Sequence, residues 1–397
     1  MITILCSNMA SNALGRALVL AQAAQGAGEE VRVVGSLRKG GKIWAPARHL
    51  ESQFGFETFE LYGSEDYFSA VRKFLKIFNK NKGPLIVSKP LPTSFGLVLM
   101  AGLAWRKDVI LDIDDWELGF RLKGDMSAFD GGLNKVKIVL SSLPMDRMNT
   151  DLGVYLCDHI ARLFPRKIVS NGWLKSRFGG EYLPHVRDAE VLKPGGDEQG
   201  QQVRAELKME ASRLWFGFIG TPRLHKGLDV LVGALSRLEH QNVGLVLLGC
   251  KESDPVGAEV LSYAREALGE ERVRHKGSFA FEELAEHVAA VDVVVIPSRL
   301  NSESVGQIPA KLFDAMAMAK PVVVTRVNDM ADILAEGAGV VVEPDDEASL
   351  AEGLGQVARM TSEQREAMGA RARERFEQRY SLSQGVDVMR AVLDRWG

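Results

Sequence analysis

The sequence predicts an α/β protein made of two doubly wound, Rossmann-like parallel sheets, and three observations carry that expectation. Short apolar runs alternate with Ala/Leu-rich stretches of helical periodicity along the chain, the pattern of strand, crossover helix and parallel strand. The length of 397 residues exceeds what one core usually organises and suits two domains. The alternation is interrupted between Lys193 and Gln202, where Pro194, Gly195 and a Gln-rich run read as a linker.

The first half opens with an apolar run from Met1 to Cys6, a polar turn from Ser7 to Asn12, a helix from about Leu14 to Ala27 and a strand from Val31 to Gly35. Further strands are expected at Leu85–Val87, Val109–Leu111 and Lys167–Val169, with Leu183–His185 as the last short one. After the linker, strands are expected at Leu214–Ile219, Val243–Leu248, Val273–Lys276, Val291–Ile296, Pro321–Thr325 and Gly339–Val342. Helical patterns occupy Gly227–Leu238, Pro255–Leu268 and Phe281–Val288, and the stretch from Thr361 to Trp396 is helical with no strand after it. The expected division is therefore residues 1–192, a linker over 193–203, a second domain over 204–372, and a closing segment over 373–397 that packs back toward the first domain. Ligands are expected at the carboxyl ends of strands, in a cleft between facing domains.

Composition narrows the class. Hydrophobic residues make up 46% and charged residues 25%, which excludes a disordered or fibrous chain. The longest apolar stretches fall short of the roughly 20 residues that span a bilayer, and the apolar start lacks a basic n-region, so a cytoplasmic location is expected. Cys6, Cys157 and Cys250 are too scattered for a disulfide framework or a zinc site; packing is their expected role. Charge is divided unevenly. Residues 1–195 hold 26 Lys and Arg against 20 Asp and Glu, and residues 196–397 hold 23 against 32. A basic first half suggests an anionic partner, with solvated helix faces as the plainer alternative.

The chain has no GxxxxGK[ST] and no GxGxxG after its first strand, which weakens nucleoside triphosphatase and dehydrogenase readings. Two other segments carry chemistry. Leu214–Ile219 runs into Gly220-Thr221-Pro222-Arg223-Leu224-His225-Lys226-Gly227 and then a helix, so a strand end, a glycine and fixed cations converge where a diphosphate could be held; a solvated loop is the alternative. The second segment runs from Ile296 to Val323, with a polar loop containing Glu303, Gly306 and Gln307, then Pro309 and a short helix. Lys311 and Asp314 share a face of that helix. The carboxylate could accept ribose hydroxyls, or the two could pair on the surface.

The series GTPRLHKGLD, VRHKGSF, VVVIPS and QIPAKLFDAMAMAKPVVVT, in that order over residues 212–345, resembles the donor domain of GT-B glycosyltransferases, specifically the retaining family 4 type. The resemblance implies a GT-B fold and transfer of a sugar from a nucleoside diphosphate sugar to an acceptor hydroxyl, with retention, without cofactor or metal, in cell-surface polysaccharide or glycolipid synthesis. It implies that Lys226, helped by Arg223, holds the diphosphate, that the backbone at Gly277-Ser278-Phe279 receives the base, and that Asp314 holds the ribose. Glu303, Gly306, Gln307 and Lys311 fall in the same donor segment. The sequence departs from the family where the first of two glutamates is expected: eight positions before Asp314 stands Gly306, and Glu303 is the nearest carboxylate.

The first half resembles the family more loosely. Asn12 and Gly15 follow the first strand where the family has its glycine-containing loop. Asp112, Asp114 and Asp115 end a strand where many members carry a His-Asp pair, with Asp114 in place of the His. Asp114 or Asp115 is thereby implied to orient the acceptor, and His185 to lie near the cleft. Metal binding by the three aspartates and helix capping are the alternatives, strand alternation sending Asp115 opposite the other two. Competing functions are an inverting GT-B transferase, a nucleotide-sugar epimerase and a catalytically silent binding protein. The expected partners are a nucleotide sugar and a glycan or lipid-linked acceptor, with no nucleic acid. Arg72, Lys73, Lys76, Lys80 and Lys82, together with an amphipathic helix over 133–148 that carries Lys135 and Lys137, suggest peripheral contact with an anionic membrane.

Overall fold

The computed structural model describes residues 1–38, 40–61, 67–122, 150–195, 197–238 and 242–396. The helix expected over 133–148 lies outside the described residues. The chain forms two compact units, Met1–Val186 with Leu382–Gly397, and Arg187–Ser381.

Unit 1 is built on a parallel sheet in the order β3-β2-β1-β4-β5-β6-β7. Its strands are β1 (Ile2–Cys6), β2 (Val31–Arg38), β3 (Glu57–Leu61), β4 (Leu85–Ser88), β5 (Val109–Ile113), β6 (Lys167–Val169) and β7 (Glu181–Tyr182). Ile4 stands between Val33 and Ile86 in register, and β1, β4 and β5 are buried throughout, as central strands covered on both faces must be. The helix Ala13–Gly26 packs on this sheet and is buried along most of its length, from Ala13 to Ala24. The closing helix Leu382–Trp396 lies against it so tightly that a Cβ on Gly26 would meet Val386 at 2.4 Å. That helix belongs to unit 1, whereas 373–381 stays in unit 2.

Unit 2 repeats the plan in the order β10-β9-β8-β11-β12-β13, with β8 (Leu214–Ile219), β9 (Val243–Leu248), β10 (Val273–Lys276), β11 (Val293–Ile296), β12 (Val322–Thr325) and β13 (Val340–Val342). Two apolar clusters cover its faces, one around Trp215, Phe313 and Phe376 and the other around Phe216, Phe218 and Leu261. All pairings in both sheets are parallel. The strand order reverses between β1 and β4 and between β8 and β11, the switch points where ligands bind in such sheets.

Three expectations need correction. The chain passes between units at Val186/Arg187 and Ser381/Leu382, earlier and later than 192 and 373. Part of the expected linker is the helix Asp197–Glu206; its polar composition hides it, but Val203 is buried and Arg204 donates to the Ala290 carbonyl and to Asp292. The last strand of unit 1 is Glu181–Tyr182, not Leu183–His185, whose carbonyls at Leu183 and Pro184 instead accept from Arg16. The three cysteines are buried thiols, and burial pushes Cys6 and Cys157 up to about 12, consistent with packing.

Candidate functional site

In unit 2, the loops after β8 and β11 meet at the switch point. Gly220 leaves β8 with φ +121°, a conformation side chains rarely adopt. At Gly227 (φ +65°) a Cβ would lie 2.1 Å from the Pro297 carbonyl oxygen, so only glycine lets the loops close on each other. The Arg299 N–H donates to the His225 carbonyl at 3.0 Å, Lys226 Nζ donates to Gln307 Oε1 at 2.9 Å, and His225 Nδ1 lies 2.7 Å from Glu303 Oε2. Burial, with Lys226, Lys311 and Arg223 nearby, pushes His225 down to about 3. The Glu303 contact pulls the other way, but one carboxylate, itself raised by burial, faces three cations. The pair is best described as a neutral imidazole whose Nδ1–H donates to the carboxylate.

Lys311 and Asp314 do not pair on the surface. Asp314 is buried and its Oδ1 accepts from Arg187 Nε at 2.6 Å. The Lys311 ammonium sits 3.4 Å from the centroid of the Phe218 ring, a cation–π contact, and beside Gly220, where a Cβ would come within 3.4 Å of Nζ. Arg223, expected beside Lys226, reaches instead to Asp254 at 3.0 Å with its side chain 50% exposed. Gly306 is buried, Ser278 exposed and Gly277 half-buried; Phe279 stacks on His287 with ring centroids 4.1 Å apart.

In unit 1, β5 delivers its carboxylates into a ring of cations. Arg16, from the helix Ala13–Gly26, grips Asp112 through Nη2 at 2.6 Å and Nε at 3.1 Å, with both side chains fully buried. Lys89, just past β4, lies 2.5 Å from Asp115, 2.7 Å from Glu117 and 3.4 Å from Asp114. His185 Nε2 lies 2.8 Å from Asp114 Oδ1, and the Ser170 hydroxyl donates to the Asp114 carbonyl. Burial works against charge on Asp114, yet His185, Lys89 and Arg16 hold its carboxyl well below the usual range. Burial likewise opposes charge on Lys89, and Asp115, Glu117 and Asp114 overcome it, so that its ammonium is held well above the ordinary lysine range. The same burial raises the Glu117 carboxyl against the pull of Lys89.

This network corrects two expectations. The aspartates do not cap a helix, and Asp115 is not turned away from Asp114, because both face Lys89. Among the described residues no group of three His, Cys, Asp or Glu side chains is placed to hold a metal; cations of the protein take up these carboxylates. Asn12 is exposed and Gly15 half-buried, and it is their neighbour Arg16 that enters the cluster. Arg16, Lys89 and Arg187 were not singled out from the sequence. Arg16 left a trace, a lone cation among the apolar residues of a helix, and Lys89 another, a cation directly after a buried strand.

Residues 213–359 match the family described as glycosyl transferases group 1. A D-inositol 3-phosphate glycosyltransferase from Corynebacterium jeikeium is 30% identical over 194 residues, 47% of this chain and 45% of that protein; the match thus spans less than half the length of this curated relative. Among solved structures, Anabaena HepE in complex with UDP-glucose aligns over 99% of each chain with TM-score 0.75 and 17% identity. WaaG, a glycosyltransferase involved in lipopolysaccharide biosynthesis, aligns over 99% of each with TM-score 0.70 and 14% identity. At such identities the likeness establishes the fold, the paired Rossmann-like domains of the GT-B class.

Proposed function

We propose, from the match of residues 213–359 to the glycosyl transferases group 1 family, that the chain moves a sugar from a nucleoside diphosphate sugar to an acceptor hydroxyl, with retention at the anomeric carbon and without a metal ion. The observation that carries the reading is Lys226, fixed by Gln307 at the end of β8 beside Lys311. A cation held there can neutralise the charge that grows on a departing diphosphate, and its fixed position means that little reorganisation is needed during the reaction. Arg223, bound to Asp254, is left a peripheral part. Asp314 receives the ribose through the carboxylate edge not taken by Arg187, and the backbone at Gly277–Phe279 receives the base.

Unit 1 supplies the acceptor side. Asp114 is kept ionised by its cations, so it accepts a hydrogen bond from the acceptor hydroxyl and orients it. The UDP-glucose bound by the Anabaena neighbour makes a uridine donor the first to try. A glycan or lipid-linked acceptor at the inner face of the cytoplasmic membrane suits the basic balance of the first half. Gly306, which offers no side chain where a sugar-binding carboxylate is expected, favours one second reading, a silent protein that binds donor without turning it over.

Release of free nucleoside diphosphate from a panel of UDP-, GDP- and ADP-sugars tests the proposal. Turnover of one donor, undiminished by chelator and lost to roughly a hundredth or less in Lys226→Ala as expected when a preorganised charge is removed, supports it. Donor binding without release supports the silent reading. Activity abolished by chelator and restored by Mg²⁺ overturns metal independence.

A further inference from the structure

Arg187 begins unit 2 and Ser381 ends it, and the two pair as an isolated parallel bridge. The Arg187 N–H donates to the Tyr380 carbonyl at 3.1 Å, and the Tyr380 ring packs on Phe313 with centroids 4.9 Å apart. Phe313 directly precedes Asp314 in the helix Lys311–Ala317. The backbone that carries Arg187 is thus tied to the helix that carries Asp314. Across this short frame Arg187 Nε meets Asp314 Oδ1 at 2.6 Å, with side chains 15% and 8% exposed. Among the described residues no hydrogen bond serves the other oxygen, Oδ2. The last torsion of an aspartate is broad, so a carboxylate left to itself has no fixed heading. A guanidinium is always charged and donates in fixed directions; one such contact on Oδ1 sets where Oδ2 points.

We propose that Arg187 is the positioning residue for the ribose: it fixes the Asp314 carboxylate so that Oδ2 accepts from a ribose hydroxyl, and it thereby makes the site select ribonucleotides over deoxyribonucleotides. This rests on the donor-binding reading above. Arg187 acts through Asp314 and does not itself touch the nucleotide. A hydrogen bond to an ionised acceptor is stronger than one between neutral groups, and its full strength is realised when the acceptor is already aimed, because ordering it at the moment of binding costs affinity. A buried ion also needs a partner, and Arg187 supplies it on the edge that the ribose does not use.

Calorimetric titration of the full chain with UDP, GDP and ADP shows which nucleotide binds, and the 2′-deoxy and 3′-deoxy forms of that nucleotide are then compared with it. The wild type should bind the ribonucleotide roughly tenfold or more tightly than one of the deoxy forms, as expected for a hydroxyl bonded to a charged group. Arg187→Gln should lower that ratio to about threefold or less by weakening the ribonucleotide alone; Asp314→Asn should do the same, and the double variant should lose nothing further, since the two residues act as one unit. Arg187→Lys keeps an ion pair, and with it the fold, but loses the planar fork; its ratio should also fall below that of the wild type. A ratio unchanged in Arg187→Gln or Arg187→Lys, or equal weakening of ribo and deoxy forms as a merely structural role would give, overturns this inference and leaves the donor reading intact. A wild type that binds a nucleotide without preference overturns it together with the role of Asp314, and failure of all three nucleotides to bind overturns the donor reading as well.

Discussion

Lys89 has a backbone φ of +72° and a side chain only 8% exposed, with three carboxylates around it. A non-glycine residue in the left-handed region persists where its surroundings over-determine it, and here the charge of the ammonium does so. Lys89→Met removes a cation that touches Asp114, Asp115 and Glu117 at once, leaving these carboxylates with less compensation. Losing one partner of such a group costs about 3–5 kcal/mol, so denaturant unfolding should show a loss of that order. A loss below about 1 kcal/mol would mean that solvent, not Lys89, neutralises these groups. The carboxylates of this cluster were legible in the sequence because Asp112, Asp114 and Asp115 stand together. Two of their partners, Arg16 and Lys89, were not, because they come from distant stretches that meet through the sheet order β1-β4-β5; His185 was expected near the cleft from the resemblance. Lys311 and Asp314 show the converse failure. Spacing of three suggested a mutual pair, but burial of the helix face gave each a tertiary partner.

At the scale of elements, β8, β9 and the helix Pro255–Leu268 have the bounds their apolar runs gave, since a buried strand or a capped amphipathic helix writes its limits into the local sequence. β3 escaped because an edge strand with alternating exposure, Glu57–Leu61, carries two glutamates and little apolar signal. The pairing of the β8 and β11 loops also escaped, since no periodicity encodes which loops touch. That pairing has a measurable consequence through His225. Its folded value, about 3, lies below the ordinary histidine value near 6.5, so the unfolded chain binds the proton more readily. Stability therefore rises with pH through the window between these values and levels off above it. Unfolding free energies measured from pH 7 down to pH 5 should fall, and His225→Gln should flatten part of that slope. A slope unchanged in the variant, or a wild type more stable at pH 5, would show that Glu303 holds the imidazole charged.

At the scale of the whole molecule, the excess of basic over acidic residues in the first half has to be set against what the structure already uses. Lys80 pairs with Glu57, and Lys73 donates to the Glu60 carbonyl, so the basic stretch over 72–82 is less available than its composition suggests. Unit 1 also exposes large apolar side chains. Trp105 is 89% and Leu163 86% exposed, and Leu156, Ile160 and Leu163 recur at helical spacing along Asp151–Leu163 with exposed faces. Arg166 ties the two regions together by donating to the carbonyls of Ala104 and Arg106, on either side of Trp105. No helix among the described residues is long and apolar enough to cross a membrane, so a lipid surface would be met by these side chains and by cations such as Lys107, which is exposed next to Trp105. Each basic residue near an anionic surface contributes about 1 kcal/mol, and each aromatic or leucine side chain that enters the interface contributes through its buried apolar area. Binding built from a few of each is weak, reversible and only partly salt-sensitive. Co-sedimentation with phosphatidylglycerol-rich vesicles at low salt should therefore retain the protein, high salt should release part of it, and Trp105→Glu with Leu163→Glu should release most of the remainder while leaving turnover of a soluble acceptor analogue unchanged. Equal recovery with neutral and anionic vesicles would remove the electrostatic share of the attraction, and no recovery at low salt would mean that the proposed acceptor is met in solution.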